Sequence, residues 1–200
     1  MPEGVDEDKR ATLRRFAALG AATPLAHLVD RSAGAEVGVR EAILGYVGAV
    51  PGAHFSKLRD DLQLGTGETQ HHVGRLLDAG AIESRRDGDY RRFFPAGRFA
   101  PAEQVALGYL RRDTPRGIVI ELLRTPTATG RELADAMGVS QSTVSKYAAE
   151  LAEAGLLERD DGYTLTRPAM LLVLLLRYAD SFGETAAELA DEAPDLIAVR

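Results

Sequence analysis

The chain has 200 residues, 45% hydrophobic and 27% charged, with a formal net charge of −6. That is the profile of a folded chain long enough for one large domain or two small ones. It has no cysteine, which excludes a disulfide framework, a thiol nucleophile, Fe–S clusters and thiolate zinc sites, and its longest apolar run, Ala169–Leu176, falls far short of the ~18 residues that span a bilayer.

The acidic net charge weighs against a polyanionic partner, but its distribution is uneven. Between Thr69 and Arg98 stand Arg75, Arg85, Arg86, Arg91, Arg92 and Arg98 against Asp78, Glu83, Asp87 and Asp89. From Ala179 to Asp195 every charged residue is an acid. Lysine occurs only at positions 9, 57 and 146, so arginine supplies the rest of the positive charge.

At the N-terminus, Arg14-Arg15-Phe16 and the small residues after it loosely resemble a twin-arginine export signal. The preferred reading is a helix from about Glu7 to Val29, kinked at Pro24, packing on the next unit or joining a dimer interface; Asp30–Gly38 is the linker. A helix with an apolar stripe at Ile43, Val47 and Val50 follows, stopped by Pro51. A short second helix ends at the turn Leu62-Gln63-Leu64-Gly65. A third starts at the expected N-cap Thr66 and runs through Val73, Leu76 and Leu77 to Gly80. Two extended runs, Ala81–Arg86 and Tyr90–Phe94, flank the turn dipeptide Asp87-Gly88.

After a linker helix at Pro101–Arg112, the pattern returns. Shifted by 75 residues without gaps, Ile43 falls on Ile118, Val47 on Leu122, Pro51 on Pro126 and Leu58 on Leu133. Leu76 meets Leu151 and Gly80 meets Gly155, so one unit occurs twice. The second copy opens at Thr114-Pro115, expected as N-cap and first turn. Its second helix starts with the capping box Thr129-Gly130-Arg131-Glu132. Its third starts at Ser140 and carries Val144, Ala148 and Leu151 inward. Leu156–Arg159 and Tyr163–Thr166 flank Asp161-Gly162. Three helices and a hairpin in this order are a winged helix-turn-helix.

Arg131-Glu132-Leu133-Ala134-Asp135-Ala136-Met137-Gly138-Val139-Ser140-Gln141-Ser142-Thr143-Val144-Ser145-Lys146-Tyr147 resembles the helix-turn-helix core of many prokaryotic regulators. Leu151–Leu157 resembles the entry to their wing. Pro51–Leu58 and Gly67–Val73 are similar to archaeal winged-helix regulators of the MarR/ArsR-like group, and the tandem arrangement resembles regulators of salt-loving archaea. The resemblance covers roughly residues 38–166 and implies DNA as partner.

Groove reading needs a helix pinned on one face with donors and acceptors on the other. In copy two this leaves Gln141, Ser142, Thr143, Ser145 and Lys146. In copy one it leaves Gly67, Glu68, Gln70, His71, Gly74 and Arg75; Glu68 near the helix start would repel phosphate, although it could accept from a cytosine amino group. The wing of copy one carries Arg85, Arg86, Arg91 and Arg92, suited to a phosphate backbone or minor groove; that of copy two carries Asp160 and Asp161, which phosphate repels. Copy one is therefore expected to supply the grip, and copy two either to use its third helix alone or to serve as a packing module. Adjacent His71 and His72 point ~100° apart on a helix and do not form a metal site; one is expected partly buried and the other outward. Tyr147 is open between core and contact.

Arg167-Pro168 introduces a single last helix, Ala169–Ala190, whose first half is apolar all round. It reads as a dimerisation helix with Leu172, Leu175, Leu176, Tyr178 and Phe182 at the seam; the alternative is packing within the chain. No Gly-rich phosphate loop, zinc-ligand pattern or nucleophile elbow appears, so neither enzyme activity nor a cofactor is implied. The expected fold is mainly α with small β-hairpin wings: two tandem winged helix-turn-helix domains plus N- and C-terminal helices. Its divisions are 1–37, 38–99, 100–113, 114–167 and 168–200. The expected function is a cytoplasmic, homodimeric, sequence-specific regulator on double-stranded DNA, with no membrane partner and any small-molecule effector left open. The competing class is a protein-interaction scaffold in transcription or chromosome maintenance: the arginine pairs at residues 85–92 favour DNA, whereas the acidic second wing favours the scaffold reading for copy two.

Overall fold

The computed structural model describes residues 3–22 and 34–198. Two compact units divide at residues 104 and 105.

The first unit opens with α1 (Glu3–Ala21) and α2 (Gly34–Ala49). The expected continuation of α1 to Val29, with its kink at Pro24, lies outside the described residues. So do residues 30–33 of the expected linker, whereas Gly34–Gly38 already belong to α2. The α1–α2 crossing is a backbone-to-backbone approach. A Cβ on Gly20 would overlap the Glu41 carbonyl, and one on Gly45 would overlap the Phe16 carbonyl. Leu13 and Phe16 of α1 pack on the core built by Ile43, Leu44, Tyr46 and Val47.

Next come α3 (Phe55–Asp61), α4 (Thr66–Asp78), β1 (Ile82–Asp87) and β2 (Tyr90–Pro95). His54 caps α3, its Nδ1 accepting from the Lys57 amide at 3.3 Å. Tyr46 Oη donates to Asp61 at 2.7 Å and ties α2 to α3. The N-cap of α4 is Gly65, not the expected Thr66. The capping carboxylate comes from Glu68, three residues on, whose Oε2 accepts from the Gly65 amide at 3.3 Å. Thr69, His72, Val73 and Leu76 face inward, one buried stripe at helical spacing. Between α3 and α4, Gln63 holds φ +54, the left-handed conformation that suits glycine better.

β1 and β2 pair antiparallel, with Arg85 opposite Arg92, Arg86 opposite Arg91 and Asp87 opposite Tyr90. The turn is therefore Gly88-Asp89, with Gly88 at φ +58, and Asp87 belongs to the strand. The Pro51–His54 segment lies along β2: the Gly52 amide donates to the Phe93 carbonyl at 2.8 Å, and the Phe93 amide to Ala53 at 3.0 Å.

α5 (Pro101–Leu110) spans the division between the units and stops two residues before the expected end. The second unit continues with α6 (Asp113–Arg124), α7 (Gly130–Met137), α8 (Gln141–Glu153), β3 (Leu157–Glu158) and β4 (Thr164–Leu165). α6 starts one residue before Thr114, so Arg112 is the cap and Pro115 falls inside the first turn. The Thr129–Glu132 capping box forms, and its hydrogen bonds hold the Glu132 carboxyl below its ordinary range. Ser140 caps α8 by accepting from the Thr143 amide at 3.1 Å.

The expected single C-terminal helix is three: α9 (Pro168–Arg177), α10 (Ala179–Phe182) and α11 (Glu184–Ala198). Gly183, at φ +97 and ψ −174, breaks the helical path and lets α11 turn back onto α6 and α9. Arg124 of α6 and Glu192 of α11 join through two bonds of 2.8 and 2.9 Å. That pairing, chiefly its hydrogen bonding, raises the Arg124 pKa further and neutralises part of the acidic C-terminal run.

Candidate nucleic-acid interface

In the first unit the outward stripe of α4 is the complement of its buried one. Gly67, Gln70, His71, Arg75 and Asp78 are exposed and Gly74 is half-buried, a spacing of three and four that makes one continuous face. The fold does not require its two glycines: a Cβ on Gly67 or Gly74 would meet nothing within 4 Å. Yet each departs from the best helix former at a cost of up to ~1 kcal/mol. What the glycines leave is a shallow floor between Gln70, His71 and Arg75.

His72 is buried and His71 exposed, their rings 5.1 Å apart and edge-on. Among the described residues, no group of three or more His, Asp or Glu side chains is placed to hold a metal ion. Glu68 does not project as the expected cytosine acceptor. Its carboxylate is folded back on the Gly65 amide and lies 3.7 Å from Lys9 Nζ.

The register of the wing separates its four arginines. Residues opposite each other share a face, so Arg85 and Arg92 lie on one face and Arg86 and Arg91 on the other. Arg92 is not a groove contact. It is 3% exposed, pairs with Asp87, and donates from Nη1 to the Gly52 carbonyl at 2.9 Å. The reason is local: like charges at 85 and 92 share a face, and burying the second requires an acid, which Asp87 supplies. Arg91 is exposed, donates to Ser84 Oγ at 2.8 Å and lies over the Phe93 ring. Arg75, Arg85 and Arg86 are exposed and have no ion-pair partner among the described residues.

The wing is braced beside its turn. His54 stacks on Tyr90 with centroids 4.8 Å apart, and Arg92 lies over the same ring at 5.6 Å. Burial, followed by the Arg92 and Lys57 charges, pushes the His54 imidazole below its ordinary value, so it stays neutral and able to accept the capping bond.

The second unit presents a different surface on the same frame. Gln141, Ser142, Ser145 and Lys146 of α8 are exposed. Thr143 is half-buried, its hydroxyl 2.8 Å from that of Ser140. Tyr147 is half-buried with the Lys146 ammonium 5.2 Å from its centroid. Where α4 has Arg75, the 75-residue shift puts Glu150, which pairs with Arg112 at 3.3 Å. Asp160 and Asp161 are exposed at the short wing.

Three residues expected at a dimer seam lie in the chain's own interior. Leu175 is fully buried and Tyr178 and Phe182 nearly so, because α10 and α11 fold against α9. Arg111 covers the Phe182 ring at 4.1 Å and donates to the Ser181 carbonyl at 2.7 Å. Leu172 and Leu176 are half-buried, and Val173, 58% exposed, is the open apolar position of α9.

Sequence reasoning missed the Lys9–Glu68 pair, the burial of Arg92 and the Gly20–Gly45 crossing. Only the last left a signal, small residues four apart from Phe16 and Glu41.

Residues 37–107 match the family model of an N-terminal HTH domain, and residues 113–163 match that of the MarR family. One match falls on each copy of the three-helix-and-hairpin unit, which is the pattern of a tandem winged helix-turn-helix regulator. The matches indicate a DNA-binding regulator rather than an enzyme. Neither a curated protein nor a solved structure matches the chain. Among the described residues, no helix is long and apolar enough to cross a membrane.

Proposed function

We propose that this chain is a cytoplasmic, sequence-specific transcription regulator that grips double-stranded DNA through its first winged helix and acts as a homodimer. One observation carries the reading. The open face of α4, floored by Gly67 and Gly74 and edged by Gln70, His71 and Arg75, belongs to the same small unit as a wing whose Arg85, Arg86 and Arg91 are exposed. The helix offers groups that reach base edges, and the wing offers charge that follows phosphate. Arg92 serves the wing by holding Asp87 and Gly52.

In the second unit Gln141, Ser142, Thr143, Ser145 and Lys146 offer a weaker contact set. The exposed Asp160 and Asp161 favour a protein-facing or packing role there. For the homodimer, support comes from the open apolar edge of α9 at Leu172, Val173 and Leu176. A Val173→Asp chain that still sediments as a dimer would remove that edge from the reading.

The test of the grip is salt dependence. Replacing Arg85, Arg86 and Arg91 together with alanine should flatten log affinity against log salt by about 0.9 for each phosphate no longer neutralised, close to 3 per chain. Replacing Gln70 and His71 should instead relax sequence preference while nonspecific binding persists. A triple variant with the wild-type slope would overturn the assignment of the wing.

A further inference from the structure

In the first unit the Pro51–His54 segment pairs with β2 as far as Arg92, where His54 forms an isolated bridge. Between Arg92 and the turn lie two more rungs, Arg86 opposite Arg91 and Asp87 opposite Tyr90. A two-stranded hairpin is marginal by itself in water. Whatever holds its turn end therefore decides how much ordering is left to be done when a partner binds.

Tyr90 is placed to hold it. Residues paired across strands share a face, and so do residues two apart on one strand. His54, Arg92 and Tyr90 thus lie on one face, with Arg86 and Arg91 on the other. The Tyr90 ring reaches diagonally to the His54 ring, 4.8 Å away and inclined by 32°, and remains 49% exposed. His54 is itself fixed, since its Nδ1 accepts from the Lys57 amide as the N-cap of α3. The stack therefore runs from the turn end of the wing to the helix that leads into α4.

The second unit repeats the arrangement with other residues. The 75-residue shift maps His54 onto Thr129, the N-cap of α7. Tyr163, just past Gly162, lies against Gly130 there: a Cβ on that glycine would stand 3.1 Å from the ring. A tyrosine after the turn, seated where the second helix begins, is thus common to both wings. What it holds in place differs, Arg85, Arg86 and Arg91 in one wing and Asp160 and Asp161 in the other.

We propose that Tyr90 is a positioning residue of the DNA grip: seated on His54, its ring sets the turn end of the wing on α3, so that Arg85, Arg86 and Arg91 meet phosphate while α4 is in the groove. This rests on the DNA-gripping reading of the first unit. Tyr90 acts through the arginines and not by touching the duplex, so its effect vanishes when they are gone. A residue that only stabilised the unit would act alike with or without them.

The test is a variant cycle in the full chain, read by fluorescence anisotropy on a mixed-sequence duplex of about 30 base pairs, three helical turns, well below the thermal midpoint of each variant. Tyr90→Ala should weaken binding about tenfold, an effect in the range one aromatic pair supplies. With Arg85, Arg86 and Arg91 already replaced by alanine, the same change should cost less than about twofold. Tyr90→Phe, which keeps the stack, should bind like wild type. His54→Asn, which keeps the cap but removes the ring, should weaken binding as Tyr90→Ala does, and adding Tyr90→Ala to it should cost little more. If Tyr90→Ala does not fold, His54→Asn with and without the arginines carries the test. Unweakened binding by Tyr90→Ala would overturn the proposal, as would equal weakening in the arginine-free background or a Tyr90→Phe as weak as Tyr90→Ala. If the triple arginine variant loses salt slope while Tyr90→Ala is silent, only the role of Tyr90 falls. If the triple variant keeps the wild-type slope, or the wild-type chain does not bind the duplex, the DNA reading of the wing falls with it.

Discussion

Gly74 sits mid-helix in α4, on the open face, where a Cβ would meet nothing within 4 Å. Gly74→Ala removes a flexible residue from a helix interior without a steric conflict. Alanine is favoured there by about 0.8–1.0 kcal/mol. For a chain of this length that corresponds to a rise of roughly 2–4 °C in the thermal midpoint, and more if the first unit melts separately. The same methyl fills the floor between Gln70, His71 and Arg75. If that floor receives DNA, the stabilised protein should bind less tightly, by about tenfold for a poorer fit near 1.4 kcal/mol. Circular dichroism melting and anisotropy on the same preparation read both effects. A variant that is more stable and binds like wild type would refute the claim that this face meets DNA. A variant that melts lower would refute the geometry of α4 itself.

Arg92→Ala should destabilise the first unit by about 2–4 kcal/mol, since it takes from Asp87 and the Gly52 carbonyl the guanidinium they share. Arg86→Ala should stay within about 0.5 kcal/mol of wild type, and urea melts of the two would separate a brace from a contact. Gln63→Gly relieves the left-handed strain at φ +54; against the added freedom of the unfolded chain it should still gain about 0.5–1 kcal/mol, and a lowered thermal midpoint would contradict this. His54 takes up a proton less readily in the folded chain than in the unfolded one, because burial and then Arg92 and Lys57 disfavour the charge. Its contribution is therefore complete above the ordinary value near 6.5 and is lost as pH falls through the lower folded value. His54→Asn, which caps without titrating, should shrink the acid loss of thermal midpoint; an unchanged profile would remove His54 from the pH response.

What the sequence carried legibly was periodic or positional. The 75-residue shift placed both sets of three helices, because the inward stripes recur on the same offsets. The capping box at Thr129 and the N-cap at Ser140 rest on bonds between residues two or three apart. Failures came where a distant partner or a single backbone angle decides. Thr66 looked like a cap because its side chain is suitable, yet Glu68 reaching back made Gly65 sufficient. Tyr178 and Phe182 continued a helical stripe on paper, but Gly183 ends that path and folds the stripe inward. Arg92 could not be told from Arg91 until the strand register put it beside Asp87.

The two copies act as an internal control on which features belong to the fold and which to the surface. Thr69, Val73 and Leu76 map onto Val144, Ala148 and Leu151, all buried, so the inward face of the third helix survives almost unchanged. Gln63 maps onto Gly138, and both take left-handed angles of φ +54 and +64, so the turn is a demand of the backbone that one copy meets with strain. Outward, the correspondence fails. His71 maps onto Lys146, Gly74 onto Ala149 and Arg75 onto Glu150, and a wing with Arg85, Arg86 and Arg91 answers one with Asp160 and Asp161. A frame that tolerates opposite charge on the same positions does not specify the partner. The partner is specified by those outward residues, which is why the first unit and not the second carries the proposed grip.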